Sequence, residues 1–395
     1  VPTPILVLNC GSSSVKYQMI DIDSEQVLAS GLVEKIGLPS GDLIHTTGGE
    51  THRIDAAIDD HTAALALVTT AFQTWGPSLD TVVAVGHRAV HGGDRFREPT
   101  LITDEVIAGM TELAGLAPLH NPPAIAGIRA AQRVLPDVPH VAIFDTAFFS
   151  TLPPEAYMYA IDRDTAETYH IRKYGFHGTS HSFVSKAAAA FLHADLAQLN
   201  QIVCHLGNGA SISAIQGGVA IETSMGLTPL AGLVMGTRSG DVDAGLFAYL
   251  DRVAGLDALA VDALLNKQSG MAGLADGTSD FRDLWPKVDA GEAHATQALD
   301  VYIHRLVSYI GSYMALLGHT DALVFTAGVG ENDHRIRARV VDRLAGFGVR
   351  LDPARNTPRN RQPTLISADD SSTVVLVVPT NEELAMARET YQVIR

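Results

Sequence analysis

Two cysteines, Cys10 and Cys204, are too few to staple a chain of 395 residues, so a disulfide-built scaffold is excluded. Each ends a β-like apolar run and reads as a buried thiol. No apolar run approaches the roughly 20 residues that span a bilayer. The first residues, Val1-Pro2-Thr3-Pro4 before Ile5-Leu6-Val7-Leu8, lack the basic flank and length of a signal peptide, so a cytoplasmic protein is expected. Basic residues are scarce: 28 Lys plus Arg stand against 44 Asp plus Glu, a formal charge of −16. That balance disfavours nucleic acid and anionic membranes as partners, although a few cleft arginines could still hold a small anion. Several signatures are missing as well. There is no P-loop spacing and no dinucleotide fingerprint G-x-G-x-x-G, which argues against a conventional dehydrogenase. Neither H-E-x-x-H nor a cysteine zinc pattern occurs despite 16 histidines, and no G-x-S-x-G elbow marks an α/β-hydrolase.

What is present is ordinary globular composition, 46% hydrophobic and 18% charged, at a length that favours two domains. Strand-like runs fall at Ile5–Leu8, from Val15, and at 81–85, 140–144, 201–205, 211–215, 322–326 and 373–378, separated by helical stretches at 59–74, 123–134, 182–199 and 293–317. This alternation is that of an α/β fold. The last helix carries Leu299, Tyr302, Ile303, Leu306, Ile310, Tyr313 and Leu317 at three- and four-residue steps, a stripe expected in the core. Leu6 to Val15 and Val203 to Ile212 share one form, a strand running into a small polar turn and then a second strand. That is either a duplicated core or an ordinary hairpin constraint. Residues 352–363, rich in Pro, Asn and Arg, read as a surface loop. Thr380-Asn381-Glu382-Glu383 has the form of a capping box with Thr380 as cap, which gives Glu383 a structural task and leaves Glu382 available.

Three glycine-containing turns follow strands: Asn9 to Ser14, His205 to Gly209, and Gly328-Val329-Gly330-Glu331-Asn332. Glycine lets backbone approach an anion, and three such turns at strand ends shift the reading from simple turn chemistry toward nucleotide binding. Lys16, beyond the first turn, is either a solvated charge or a phosphate contact. Arg88, in Gly86-His87-Arg88-Ala89-Val90-His91-Gly92-Gly93, is either a structural ion pair or a fork for a carboxylate or phosphate. Asp145 ends a strand. His177 sits on a glycine-flanked turn, with Thr179 or Ser180 as candidate cap of the helix that follows. Arg238 lies in the polar loop Gly236-Thr237-Arg238-Ser239-Gly240-Asp241. Taken together these residues suit phosphoryl transfer, which needs positioned positive charge more than a protein nucleophile.

The same segments closely resemble the acetate kinase family over essentially the whole chain: Val7-Leu8-Asn9-Cys10-Gly11-Ser12-Ser13-Ser14-Val15-Lys16, Gly86-His87-Arg88, Leu119-His120-Asn121-Pro122-Pro123, Phe144-Asp145-Thr146-Ala147-Phe148, Tyr174 to His181, His205-Leu206-Gly207-Asn208-Gly209, Met235 to Asp241 and Pro379 to Glu383. The resemblance implies duplicated ribonuclease-H-like cores of the actin/Hsp70/sugar-kinase superfamily: residues 1–150 plus 380–395 as one domain, 151–379 as the other, and a central cleft. It implies transfer between ATP and acetate, giving ADP and acetyl phosphate, with propionate as alternative acid and an Hsp70-like or actin-like module as a reading from another class. By the same resemblance Asn9 and Glu382 hold Mg²⁺ or Mn²⁺. Lys16, His205, Leu206, Gly207, Asn208, Gly209, Asp280, Phe281, Arg282, Gly328, Val329, Gly330, Glu331 and Asn332 hold the nucleotide. Arg88 binds the acid's carboxylate, and Val90, Leu119, Phe176 and Pro229 enclose its methyl group. Asp145, His177 and Arg238 are the implied catalytic residues, and a homodimer joined through the second domain is implied.

Overall fold

The computed structural model describes residues 2–118 and 120–395. The chain divides into two compact units, one running to Ser150 and completed by Asn381–Arg395, the other Thr151–Thr380. Thr380, expected with the first domain, groups with the second.

The first unit is built on a sheet of eight strands: β1 (Pro4–Cys10), β2 (Ser14–Asp21), β3 (Gln26–Glu34), β4 (Gly41–Thr47), β5 (Glu50–Ala56), β6 (Ala84–Ala89), β7 (Thr100–Leu101) and β8 (His140–Phe144). Their spatial order is β5-β4-β3-β2-β1-β6-β8-β7. From β5 to β1 neighbours are antiparallel, whereas β1, β6 and β8 run parallel. The apolar run of β1 is buried at nearly every position, as a central strand covered on both faces must be. Two glycines set how closely helices lie on the sheet. A Cβ on Gly127 would come 2.3 Å from Cys10 Sγ, and one on Gly86 2.3 Å from Thr390 Oγ1. The helices Asn121–Val134 and Glu382–Ile394 therefore pack at distances only glycine permits.

The second unit repeats this plan. Strands β9 (Asn200–Leu206), β10 (Ala210–Gln216), β11 (Val219–Thr223), β12 (Ala322–Thr326), β13 (Thr364–Leu365) and β14 (Val374–Val377) lie in the order β11-β10-β9-β12-β14-β13. Strands β11, β10 and β9 are antiparallel and β9, β12 and β14 parallel. β9 thus corresponds to β1, β10 to β2, β12 to β6 and β14 to β8, and the repeated hairpin is a duplicated core. The stripe on Ala293–Leu317 is buried throughout, from Leu299 to Leu317. Both cysteines are buried free thiols. No helix among the described residues is long and apolar enough to cross a membrane.

Five local readings change. The run 81–85 reaches the sheet only at Ala84, because Ser78 first caps a short 3₁₀ turn at Leu79–Thr81. The helix expected at 182–199 is Gly178–Phe191, and Asp195 starts a separate turn after it. It begins without a Thr179 or Ser180 cap: His177 occupies the N-cap in the left-handed region, φ 59°. Residues 327–332 form a short helix instead of a glycine turn. The C-terminal helix is capped by Asn381, whose side chain accepts from Leu384 N, and not by Thr380.

Candidate functional site

In the first unit the candidate residues gather at the carboxyl ends of the parallel strands, where α/β sheets form their ligand sites. Asn9 is the penultimate residue of β1, Arg88 that of β6, and Asp145 follows β8. Arg88 grips Asp145 with both arms of its fork, Nε to Oδ1 at 3.0 Å and Nη2 to Oδ2 at 2.6 Å. Asp145 is only 2% exposed, and its charge raises the Arg88 pKa above the ordinary value, so this guanidinium is a fixed cation. The segment after Arg88 is tied down: Asn121 accepts from His91 N at 3.3 Å and donates to its carbonyl at 3.1 Å, and Gly92 N donates to Thr146 Oγ1 at 3.0 Å. Val90 lies half-buried on this segment. Leu119 lies outside the described residues.

Glu382 opens the helix that packs on β6. Burial pushes its carboxyl pKa up, opposed by Arg88 and reinforced by Asp145 and Glu383. Lys16, opposite Asn9 in the β1–β2 pair, forms an ion pair with Glu383. Glu383 therefore has a structural partner, though not the one a capping box would supply.

The second unit brings His177, His205, Gly209 and Arg238 together. A Cβ on Gly209 would lie 3.5 Å from Arg238 Nη2 and 3.5 Å from both Cε1 and Nε2 of His177. His177 stacks on His205, ring centres 4.3 Å apart, and its Nδ1 is 2.9 Å from Ser211 Oγ. Arg238 Nη1 donates to the Pro229 carbonyl at 2.8 Å. Phe176 is buried beside this turn in sequence, and Pro229 is half-buried. Burial lowers the pKa of Arg238.

Close to the same turn opens a cavity of about 840 Å³ lined by Gly207, Asn208, Asp280, Phe281, Arg282, Gly328, Val329 and Asn332. His205, Leu206, Gly209, Gly330 and Glu331 stand outside its lining. Glu331 is turned inward, where its Oε1 accepts from Ala327 N at 2.9 Å and Thr380 N at 3.0 Å and burial raises its pKa. Asp280 and Arg282 are paired with each other, Nη2 to Oδ2 at 2.6 Å. Met235 and Gly236 of the Met235–Asp241 motif also line it, whereas Trp285, Asp333, Arg335, Pro358 and Arg359 belong to no motif. Trp285 donates to Asp333 at 2.6 Å and carries Arg335 over its ring at 3.7 Å, and Pro358 and Arg359 come from the segment read only as a surface loop. That segment is anchored by Arg337 Nε donating to the buried Asn356 Oδ1 at 2.9 Å.

Two mixed sheets of one topology, each carrying polar residues at the carboxyl end of its parallel strands, define a duplicated α/β fold of the actin, Hsp70 and sugar-kinase type. Comparisons narrow the class. The Acetokinase family model matches residues 4–388, and an acetate kinase of Leifsonia xyli is 53% identical over 99% of this chain and 98% of its own length. Among solved structures, Porphyromonas gingivalis acetate kinase superposes with a TM-score of 0.95 at 41% identity, covering 100% of both chains. A propionate kinase from Francisella tularensis gives 0.92 at 40%, covering 99% of each. The chain belongs to the acetokinase family.

Proposed function

We propose that this chain is an acetate kinase, moving a phosphoryl group directly and in line from ATP to acetate to give ADP and acetyl phosphate, and running the reverse reaction with the same residues. The observation that carries this reading is the convergence of Arg238 and His177 on Gly209, next to the turn residues Gly207 and Asn208 that line the large cavity, in a member of this family. Phosphoryl transfer is accelerated mainly by positioned donors on the equatorial oxygens, and these two side chains are donors of the right kind. The cavity is assigned to the nucleotide.

Arg88 is assigned to the acid's carboxylate. The acid is already ionised at neutral pH, so no strong base is needed, and Asp145 serves by holding the Arg88 fork in one orientation. Val90, Leu119, Phe176 and Pro229 are assigned to the acid's methyl group. Asn9 and Glu382 offer only oxygen donors, a set suited to Mg²⁺ or Mn²⁺. No cluster of three or more His, Cys, Asp or Glu that could hold a metal occurs among the described residues. When bound, the divalent ion would neutralise phosphate charge.

We assign it to the cytoplasm as a homodimer joined through the second unit. The helix Gly245–Ala254 buries none of its residues in the single chain although it carries Leu246, Phe247, Tyr249, Leu250 and Val253, and a monomer in light scattering would overturn this assembly.

Steady-state kcat/KM with acetate, propionate and butyrate tests the function. Acetate is expected to be preferred. One methylene is worth only about 1–3 kcal/mol of discrimination, so the resemblance to the Francisella propionate kinase keeps propionate as the second reading, and a propionate preference would select it. ATP turnover indifferent to every acid would instead indicate an Hsp70-like or actin-like module.

A further inference from the structure

Behind His177 lies a chain of side chains to which none of the motifs assigns a role. His177 Nδ1 is 2.9 Å from Ser211 Oγ, Ser211 Oγ is 2.7 Å from His181 Nε2, and His181 Nδ1 is 2.7 Å from Ser213 Oγ. Ser211, Ser213 and His181 are each 0% exposed. The residues come from two elements. His177 and His181 lie four apart at the start of the helix Gly178–Phe191, and Ser211 and Ser213 lie two apart on one face of β10.

The proton count constrains the direction of this chain. Burial holds the His181 pKa well below the ordinary 6.5, with His205 adding to the effect. A neutral imidazole has one N–H and one acceptor nitrogen, so one of the two serines donates to His181 and the other accepts from it. If Ser213 accepted, its own hydroxyl hydrogen would be left without an acceptor inside the sheet, since its oxygen has no other partner among the described residues. A buried unsatisfied donor is costly. If Ser213 donates, only acceptor lone pairs are left unused.

We propose that Ser213, His181 and Ser211 form a polarised relay that fixes His177 as the neutral tautomer with its proton on Nε2. Ser213 O–H donates to His181 Nδ1, His181 Nε2–H donates to Ser211 Oγ, and Ser211 O–H donates to His177 Nδ1. Nε2, left as the donor, is the ring nitrogen that approaches Gly209 beside Arg238. His181 and Ser211 are positioning residues, because they act only through His177. The charged and titratable groups facing His177 agree with this assignment. Arg238 across Gly209 opposes a second positive charge, and the His205 ring stacks on His177 with His181 beside it.

The proposal rests on the role given to His177 in phosphoryl transfer, yet its first test needs no substrate. Long-range ¹H–¹⁵N correlation spectra of the full-length protein labelled at histidine report which ring nitrogen carries the proton. A pyrrole-type Nε2 and pyridine-type Nδ1 on His177, with the same tautomer on His181, are expected; the reverse on either ring overturns the relay whatever the protein phosphorylates. Kinetics give the second test. Ser211→Ala should lower kcat roughly tenfold or more, the scale on which loss of a histidine's orienting partner is felt, with KM for acetate and ATP little changed. Ser213→Ala, which touches nothing in the site, should lower kcat by a smaller factor and leave His177 as a mixture of tautomers in the same spectra. A Ser213→Ala protein with the parent's His177 tautomer unmixed would refute the relay even if Ser211→Ala failed to fold.

Discussion

The two units place an arginine near the ends of corresponding sheets in opposite electrostatic conditions. In the first, Arg88 is already neutralised, both arms held by a carboxylate that is almost wholly buried. In the second, Arg238 donates to a backbone carbonyl, no carboxylate among the described residues pairs with it, and burial lowers its pKa. A guanidinium neutralised in advance is a rigid fork, suited to orienting a singly charged acid. A partly buried guanidinium without a counterion gains most from an anion that arrives, and more as that anion's charge grows. The duplicated fold thus supplies one arginine suited to alignment and one suited to charge stabilisation.

Substituting each arginine should separate these roles. Arg88→Ala leaves Asp145 buried and uncompensated, so a stability loss of about 3–5 kcal/mol is expected, together with a raised KM for acetate. Urea denaturation and acetate titration read the two effects. Arg238→Ala breaks no ion pair, so stability should change little while kcat falls on the order of 100-fold or more, with ATP affinity largely retained. Equal stability losses in the two variants, or an unchanged kcat for Arg238→Ala, would abolish the distinction.

Acid should strain both units through their buried histidines. In the first, His87 Nε2 and His140 Nδ1 are 2.8 Å apart, with His140 Nε2 donating to the Leu135 carbonyl, and burial lowers the pKa of both. In the second, His181 is held neutral in the same way. A folded-state pKa below the unfolded value of 6.5 means that the unfolded chain binds more protons once the pH drops under about 6.5. Stability is then lost as pH falls, with a slope of up to about 1.4 kcal/mol per pH unit for each histidine kept neutral. Urea titrations at pH 7.5 and 5.5 should show this loss, and His140→Gln should reduce it by removing one of these groups. A stability independent of pH across that interval would contradict the buried neutral assignment.

Much of this was legible because it is local. The apolar runs of β1 and β9 with their small turns predicted the strands, and their likeness anticipated the shared topology. The stripe on Ala293–Leu317 was legible from periodicity alone, and family motifs marked His177, Arg238, Arg88 and Asp145. What was not legible depends on partners distant in sequence. Nothing near Trp285 signals that Asp333 and Arg335 will meet it, and nothing near Pro358 or Arg359 signals a cavity wall, because Arg337 and Asn356 fold that segment inward. Ser211 and Ser213 read as ordinary strand residues until His177 and His181 arrive from a helix some thirty positions earlier in the sequence.

The smallest expected effect concerns the helix that delivers Glu382. Its sequence suggested Thr380 as cap, but Thr380 Oγ1 lies 2.8 Å from Ser180 Oγ, and Asn381 Oδ1 accepts from Leu384 N at 3.0 Å. The division of the chain falls between these two neighbours, Thr380 closing the second unit and Asn381 resuming the first. Asn381→Ala should therefore cost about 1 kcal/mol, the usual worth of an N-cap, as a loss to the first unit's terminal helix. Thr380→Ala should leave that helix intact, removing instead a hydroxyl contact of Ser180, whose oxygen also meets His205 Nδ1 at 2.8 Å. Hydrogen exchange along Glu382–Ile394 distinguishes them: faster exchange in the first turn is expected for Asn381→Ala alone, and the opposite result would restore Thr380 as the cap.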